Sequence, residues 1–251
     1  KTPGRAECGE SEPDKDIDIY ALLSDFKFTP NAQNEILAGI KTTLIKSDNT
    51  FIFKKNGDID TQRSNSFCYK EKNLEAYAQY TYTWDKLELS AGLRMEYMYT
   101  YNKLNSQTSQ DAETNSQNHF RLFPNLSASY TINDKNKIAL LYSRRQDKPR
   151  YEDLNPFEYL LDELSYWKGN PFLKPQVSNK IMLSYTWSNL SLNLYYNKLD
   201  DYFTSLTDVY GNNKTIMTTK NIGTQQQVGF DASYQEPGRS KGIYSTDTIQ
   251  I

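Results

Sequence analysis

The stretch that decides the fold is KNLEAYAQYTYTWDKLELSAGLRMEYMYTY, residues Lys72–Tyr101. Apolar and polar residues alternate along it, the alternation breaks at Asp85-Lys86, and it then resumes. Successive side chains of a strand point to opposite faces, so the pattern predicts a hairpin with one apolar and one polar face. Each strand has about 11–15 residues, more than the ~5–6 of a typical soluble strand and enough to cross a bilayer at a tilt. The stretch is therefore typical of a transmembrane β-barrel.

The two faces of this hairpin differ sharply in composition. The apolar face carries Leu74, Ala76, Ala78, Tyr80, Tyr82, Trp84, Leu87, Leu89, Ala91, Leu93, Met95, Tyr97 and Tyr99. The polar face carries Glu75, Gln79, Thr81, Thr83, Glu88, Ser90, Gly92, Arg94 and Glu96. In a membrane barrel the first set would face lipid and the second would face the lumen.

Similar segments recur along the chain, and short and long connections alternate strictly between them. The predicted strands are Ile17–Phe28, Glu35–Lys46, Cys68–Trp84, Lys86–Tyr101, Asn118–Thr131, Lys135–Arg145, Val177–Ser188, Leu190–Leu206 and Lys214–Tyr234. The long connections are Ser47–Phe67, Asn102–Gln117, Gln146–Gln176 and, less clearly, Thr207–Asn213. Bacterial outer-membrane barrels have short periplasmic turns and longer extracellular loops. The fold class predicted is an all-β, antiparallel, up-and-down transmembrane sheet.

The composition agrees with a barrel and excludes some other classes of protein. The mean hydropathy is −0.78, which opposes helical membrane spans, but a barrel strand needs apolar residues on one face only. Tyrosine occurs 20 times, and its apolar ring with a polar tip suits the aromatic girdles of a barrel. A tyrosine-rich soluble sandwich would share this composition. The net charge of −2 provides no basic surface for nucleic acid.

The residue types that carry chemistry are sparse, so we expect no enzyme, no cofactor and no metal site. His119 is the only histidine of the sequence, and catalytic triads and most zinc sites need a histidine with suitable partners. Cys8 and Cys68 have no CxxC spacing, and whether they pair is left open. The acidic run around Asp14, Asp16 and Asp18 is expected to be a solvated terminus, because the glycine and final glutamate of an EF-hand are missing.

The connection over residues 146–176 is the strongest candidate for an ordered recognition loop. It is rich in proline and aromatic residues, and we expect it to fold on itself with a short helix over Pro156–Leu164. Tyrosine and tryptophan dominate binding hot spots, and an arginine at the rim can contact an anionic group. The candidate ligand-binding residues are Arg145, Tyr151, Tyr159, Tyr166 and Trp167. The competing interpretation is that these aromatic residues only fold the loop onto the barrel mouth.

Several motifs in order resemble the barrel region of Bacteroidetes TonB-dependent outer-membrane receptors. The resemblance runs from about Ile17 to Tyr234. The motifs that carry it are SRR at 143–145, YEDLNPF at 151–157, GNP at 169–171, LKP at 173–175, FCYKE at 67–71, AY at 76–77, AGLRME at 91–96 and FPNL at 123–126.

The resemblance implies a ligand-gated importer of the outer membrane. Such receptors resemble a 22-stranded barrel filled by a plug and energised through the TonB complex, and they take up iron chelates, cobalamin, glycans or peptides. The implied partners are outer-membrane lipid, the plug domain, the remaining barrel strands, the TonB complex and an unidentified small-molecule or glycan ligand.

The sequence departs from that plan, which leads us to expect a fragment of a barrel. It offers about nine or ten strands, shows neither a plug nor a TonB box, and does not end in the usual terminal aromatic strand. We expect an irregular segment over 1–16, a barrel segment over 17–235 and an atypical tail over 236–251. The alternatives are a self-contained small outer-membrane pore and a soluble glycan-binding β-protein.

Overall fold

The computed structural model describes residues 9–55, 57–59, 64–106, 113–161, 164–210, 214–235 and 243–250. Within these residues the chain is almost entirely β-structure. In chain order the elements are β1 (Gly9–Asn31), β2 (Asn34–Lys55), β3 (Asp58–Ile59), β4 (Asn65–Trp84), β5 (Leu87–Ser106), β6 (Glu113–Asn133), β7 (Asn136–Asp147), α1 (Tyr151–Leu154), β8 (Glu158–Leu160), β9 (Ser165–Lys168), β10 (Gln176–Trp187), β11 (Leu190–Tyr210), β12 (Lys214–Tyr234) and β13 (Ile243–Gln250).

All the strands belong to one sheet, and the long ones form an antiparallel meander. The order is β1-β2-β4-β5-β6-β7-β10-β11-β12-β9-β8, with β13 paired to β12 and β3 paired to β2. The far edge of β12 is shared: β9 pairs in parallel with Thr215–Met217, and β13 pairs with Gln227–Tyr234. Among the described residues β1 pairs only with β2, so the sheet ends there with one open edge.

Every predicted strand is present, and most are longer than predicted at the long-connection end. β2 runs to Lys55, nine residues past the predicted end at Lys46, and β6 begins at Glu113 rather than Asn118. The predicted long connection over Asn102–Gln117 is too long at both ends, because Asn102 pairs with Asn115 and Leu104 with Glu113. The start of β6 is polar on both faces, and at the end of β2 the polar run from Ser47 to Thr50 precedes the buried Phe51. Apolar–polar alternation stops there, but backbone pairing with the neighbouring strands continues.

The short connections are tight turns with recognisable chemistry. Asp85 and Ser188 have positive φ angles of 51° and 53°, as the first central residue of a tight two-residue hairpin turn adopts in the primed turn types. The other two turns begin with an asparagine whose side chain binds the backbone of the turn. The side-chain oxygen of Asn31 accepts hydrogen bonds from the backbone of Gln33 and Asn34, and that of Asn133 accepts them from Lys135 and Asn136. These contacts fix the register of each hairpin.

One face of the sheet is an exposed apolar band, which we call the outer face. On β4 it extends from Leu74 to Trp84, which is 61% exposed, and Lys70 and Lys72 follow on the same face. At about 3.3 Å per residue and a tilt of about 40°, this stretch spans about 25 Å, the height of a barrel's lipid-facing band. The large exposed apolar residues of the neighbouring strands continue the band. None of the described helical residues forms a helix long and apolar enough to cross a bilayer.

The opposite, inner face is polar and more closely packed. On β4 it carries Phe67, Tyr69, Glu71, Asn73 and Glu75, all of them buried. At two places a tyrosine ring covers a glycine on the neighbouring strand. Tyr77 lies over its partner Gly39 and donates a hydrogen bond to Asp25, and Tyr195 lies over its partner Gly229. These glycines are required for the close approach of the ring, which compensates for the missing side chain.

Several local expectations turn out differently. Gly9–Asp16 of the expected irregular segment belong to β1, and Ile243–Gln250 of the expected tail form β13. The one-turn helix α1 ends at Leu154, so the prediction of a helix over Pro156–Leu164 is wrong. Cys68 is a free cysteine, whereas Cys8 lies outside the described residues.

The glycine–tyrosine contacts give a prediction for stability. A Cβ atom at position 39 would lie 2.6 Å from Cζ of Tyr77. We expect Gly39→Ala to reduce the free energy of unfolding by about 1–3 kcal/mol, the usual cost of overpacking. Gly92→Ala is the matched control, because its Cβ would meet its nearest neighbour at an ordinary 3.4 Å. Urea unfolding of the protein in detergent micelles measures both.

A double variant tests the cause. In a Tyr77→Ala background the cost of Gly39→Ala should be much smaller, because the added Cβ no longer meets the tyrosine ring and only the Asp25 carboxylate remains close, at 2.6 Å. Equal destabilisation by Gly39→Ala and Gly92→Ala would contradict this account.

Candidate functional site

Residues 148–175, which we call the folded loop, pack onto the inner face at the long-connection end of the sheet. Leu154, Phe157 and Leu173 of the loop join Phe51, Phe67 and Tyr69 of the strands in one buried cluster. The rings of Phe51 and Phe157 lie 6.0 Å apart, and those of Tyr69 and Tyr151 lie 5.3 Å apart. Burying a phenylalanine contributes about 1.5–3 kcal/mol, so this cluster holds the loop in place.

Two of the sequence motifs fit together inside the folded loop. Arg150 makes a two-point ion pair with Asp153 across α1, and the backbone N–H of Asn170 donates a hydrogen bond to the carbonyl of Asp153. A Cβ at Gly169 would lie 2.2 Å from the carbonyl oxygen of Asn155, so the approach of the two segments requires glycine there. The YEDLNPF and GNP motifs therefore form one packed unit.

Lys148 links the folded loop electrostatically to the strands. Its Nζ lies 2.9 Å from Glu71 and 3.2 Å from Glu96, whose side chains are each 4% exposed. The Tyr69 hydroxyl donates to Glu71 at 2.6 Å, and the Gln146 amide donates to Glu96. Burial lowers the pKa of Lys148, but the two carboxylates outweigh burial, so the pKa is raised overall. The lysine therefore stays charged at neutral pH.

The position of Lys148 depends on how β7 ends. Pairing between β6 and β7 stops at Asn125 and Ser143, and beyond that point β7 pairs only with β10. The end of β7 thereby leaves β6 and brings Gln146 and Lys148 to Glu96 on β5. If β7 remained paired with β6 to its end, Gln146 and Lys148 would not both reach Glu96.

A second ion-pair group lies on the inner face below the loop. Arg94 is 3.2 Å from Glu75 and 3.9 Å from Glu96, and Lys41 lies 3.8 Å from Glu75. Arg94 also stands over the ring of Phe123, at 4.7 Å from its centre. Buried carboxylates are tolerated only when they are paired and hydrogen-bonded. This face therefore carries a connected charged network, and the structure places Arg94 and Glu96 on the polar side predicted for them.

The folded loop also contacts strands near both edges of the sheet. Glu152 forms an ion pair of 3.0 Å with Lys15 on β1, and Asn170 donates to the carbonyl of Thr219 on β12 at 3.2 Å. With the parallel pairing of β9 to β12, the loop extends across the end of the inner face. It leaves a small cavity of about 50 Å³ lined by residues such as Glu71, His119, Lys148 and Tyr151, enough for one or two water molecules.

The four predicted ligand-binding residues whose side chains are described do not converge on one place. Tyr151 lines the small cavity beside Lys148, and burial raises its pKa to about 12. Tyr166 and Trp167 are part of β9, where Lys214 lies 5.4 Å from the centre of the Tyr166 ring. Arg145 lines an open depression with Arg94. Tyr159 belongs to β8, but its side chain lies outside the described residues.

Sequence reasoning missed the residue that connects the loop to the sheet. Lys148 lies between Asp147 and Pro149 in a polar stretch and has no motif of its own. The available signal was the alternation, which places Glu71 and Glu96 on one face and so predicts a need for a cation there. Of the described residues, no group of three or more histidine, cysteine or acidic side chains is arranged to hold a metal ion.

The Lys148 contacts give a second prediction. Lys148→Ala would leave Glu71 and Glu96 without this cation, and we expect the loop to be destabilised by about 1–3 kcal/mol, less than for a fully buried pair because the lysine side chain is 33% exposed. The measurement is limited proteolysis of the folded protein, with cleavage inside residues 148–175 followed by mass spectrometry.

A matched control comes from the same loop. Lys168 forms a 3.0 Å ion pair with Glu158, and both side chains are well exposed, so Lys168→Ala should change cleavage little. Cleavage of the Lys148→Ala loop at the wild-type rate would show that the lysine does not hold the loop.

Comparison with solved structures identifies the fold. The ferric yersiniabactin uptake receptor FyuA from Yersinia pestis is 12% identical with a TM-score of 0.59, and the match covers 98% of this chain and 38% of that chain. The copper transporter OprC is 12% identical with a TM-score of 0.63, covering 94% and 39%. The Serratia marcescens hemophore receptor HasR is 14% identical with a TM-score of 0.57, covering 98% and 43%. The chain thus spans 38–43% of the length of these proteins.

The sequence itself assigns the family. No curated protein matches the sequence significantly. The family model of the outer membrane protein beta-barrel family matches residues 1–241, nearly the whole chain. The apolar outer band, the tight turns at one end and the polar inner face are those of an outer-membrane barrel wall. The chain therefore belongs to the outer membrane protein beta-barrel family, and its location is the outer membrane.

Proposed function

We propose that this chain forms part of the barrel wall of a TonB-dependent outer-membrane receptor that takes up a ligand. The observation that carries the proposal is the combination of an open-edged sheet with a likeness to uptake receptors over 38–43% of their length. In this proposal the rest of the wall and the plug belong to the same protein, and the chain binds and passes ligand without a catalytic step.

The open edge of β1 supports a larger barrel. Lipid offers no hydrogen-bond partner to backbone N–H and C=O groups, so a strand edge within the bilayer must be paired. β1 carries exposed Tyr20, Leu22 and Phe26 on its outer face, which places it at the depth of the apolar band. A further strand next to β1 would satisfy its backbone groups and continue the wall.

The inner face supports a lumen that is filled or wet. Glu71, Glu75 and Glu96 are paired with Lys148, Lys41 and Arg94, and such charges are stable only beside water or other polar groups. The folded loop covers one end of this face. In the proposed receptor the plug occupies the lumen below the loop, the TonB complex acts on the intact protein, and ligand arrives from the loop end.

The test uses the native protein in its own cells. An epitope inserted at the chromosomal locus within residues 107–112 would report the size and the location of the gene product. We expect a detergent-dependent outer-membrane band of roughly 70 kDa, from 29.1 kDa for this chain and its 38–43% share of the related receptors. We also expect the band to cross-link to TonB in intact cells, as an energised receptor must.

Other outcomes would favour the alternatives. A band near 29 kDa that forms steady ion channels in planar bilayers would contradict the receptor and indicate a small pore. A product that is released without detergent would contradict any membrane barrel.

A further inference from the structure

An open cleft lies next to the folded loop at the mouth of the sheet. Its volume is about 650 Å³. It is lined by the long-connection ends of β4, β5 and β6, by the folded loop and by β12. Sites for small organic ligands typically measure about 300–1,000 Å³. The cleft adjoins the smaller cavity beside Lys148, and Asn102 and Pro171 line both.

Two neighbouring asparagines in this cleft have amide atoms without partners. Asn102 is 6% exposed, and its Nδ2 donates to the carbonyl of Pro171 at 3.2 Å, which fixes the orientation of the amide. Its Oδ1 is buried and accepts no hydrogen bond from the described residues, and Nδ2 of Asn115 is buried and donates none to them. The two residues are direct partners across β5 and β6, so their Cβ atoms lie about 5 Å apart.

An unpaired acceptor beside an unpaired donor indicates the chemistry of a ligand. Each buried amide group without a partner costs about 1–3 kcal/mol, and such groups are uncommon in folded proteins. A ligand that presents a hydroxyl donor next to an acceptor oxygen would satisfy both asparagines together. Neighbouring hydroxyl groups of a sugar have this arrangement.

The rest of the described lining consists of apolar side chains, neutral polar side chains and paired charges. Phe67 is buried at its base, and Phe172 is 62% exposed, so its ring offers a flat surface for stacking. The charged residues among the described lining are Lys168 and Lys220, which are paired with Glu158 and Asp208. A ligand with several negative charges would find no unpaired cation among these described residues.

We propose that this cleft binds a neutral oligosaccharide. Asn102 accepts a hydrogen bond from a sugar hydroxyl through Oδ1, Asn115 donates one to a sugar oxygen through Nδ2, and Phe172 stacks on the apolar face of a sugar ring. The proposal rests on the receptor function above and names the class of ligand that such a receptor takes up.

The experiment uses the full-length receptor, purified in detergent and applied to an array of neutral and acidic oligosaccharides. We expect binding to at least one neutral oligosaccharide. Asn115→Leu and Phe172→Ala should each weaken this binding at least tenfold. Asn115→Leu should not lower thermal stability, because it removes an amide nitrogen that has no partner.

Matched controls lie nearby but outside the cleft. Asn105→Leu changes an exposed amide on β5, the strand that carries Asn102, and Leu161→Ala changes an exposed side chain of the folded loop. Both should keep the Kd within about twofold of wild type, as expected of surface changes.

Three results would overturn the proposal. They are the absence of binding to every neutral oligosaccharide on the array, binding of acidic oligosaccharides only, and binding that neither cleft variant weakens. A receptor that binds ferric citrate instead would overturn the oligosaccharide assignment but leave the uptake function standing. A 29 kDa pore in the epitope experiment would instead remove the receptor function itself.

Discussion

Backbone hydrogen bonding in lipid is the constraint on which the rest of this structure depends. Hydrocarbon offers neither donors nor acceptors, so each strand must pair along its whole membrane-crossing length. The meander from β1 to β12 meets this requirement strand by strand through its antiparallel neighbours. Side chains are then free to alternate, with Leu74 and Trp84 towards lipid and Glu71 and Glu75 away from it. The edge of β1 away from β2 has no partner among the described residues, and this unpaired edge motivates the larger barrel proposed above.

The charged inner face creates a second requirement, which the folded loop helps to meet. Carboxylates on a wall of this kind are costly unless cations lie beside them. Arg94 and Lys41 supply this charge from the strands, and Lys148 supplies it from the loop. The same lysine that compensates Glu71 and Glu96 therefore anchors the segment that forms the mouth. The loop's apolar cluster with Phe51 and Phe67 adds to that anchoring and forms one side of the cleft that we assign to ligand.

The sequence was sufficient for the strands and turns but not for the site. Alternation is a local property, so it predicted β4 and β5 and the turn at Asp85 from neighbouring residues alone. It failed at the end of β2 and the start of β6, where apolar and polar residues no longer alternate and the strand continues through pairing with its neighbours. The helix was misplaced because the residue before a proline favours extended backbone, which ends α1 ahead of Pro156, and because the chain after Pro156 pairs as β8 with β9. Asn155 is extended, and α1 ends before it.

The binding residues depend on register, which composition does not reveal. Tyr151 was predicted because aromatic residues are conspicuous in a loop. Asn102 and Asn115 are separated by a connection of unknown geometry at the sequence level, and only the pairing of β5 with β6 brings them together. Their significance comes from two missing hydrogen bonds, a property that exists only in the folded protein. Lys148 likewise acquires its partners only because β7 leaves β6 beyond Ser143.

The most direct test of the barrel wall is a spin-label scan along β4 from Leu74 to Trp84 in the intact protein in lipid vesicles. Labels at Leu74, Ala76, Ala78, Tyr80, Tyr82 and Trp84 should collide readily with oxygen, which concentrates in lipid. Labels at the residues between them should be shielded from oxygen, because they lie on the inner face. A strict alternation in oxygen accessibility with a period of two residues is the result that we expect. Equal exposure of both sets to a water-soluble nickel complex would contradict a membrane-spanning wall and would indicate a soluble sheet.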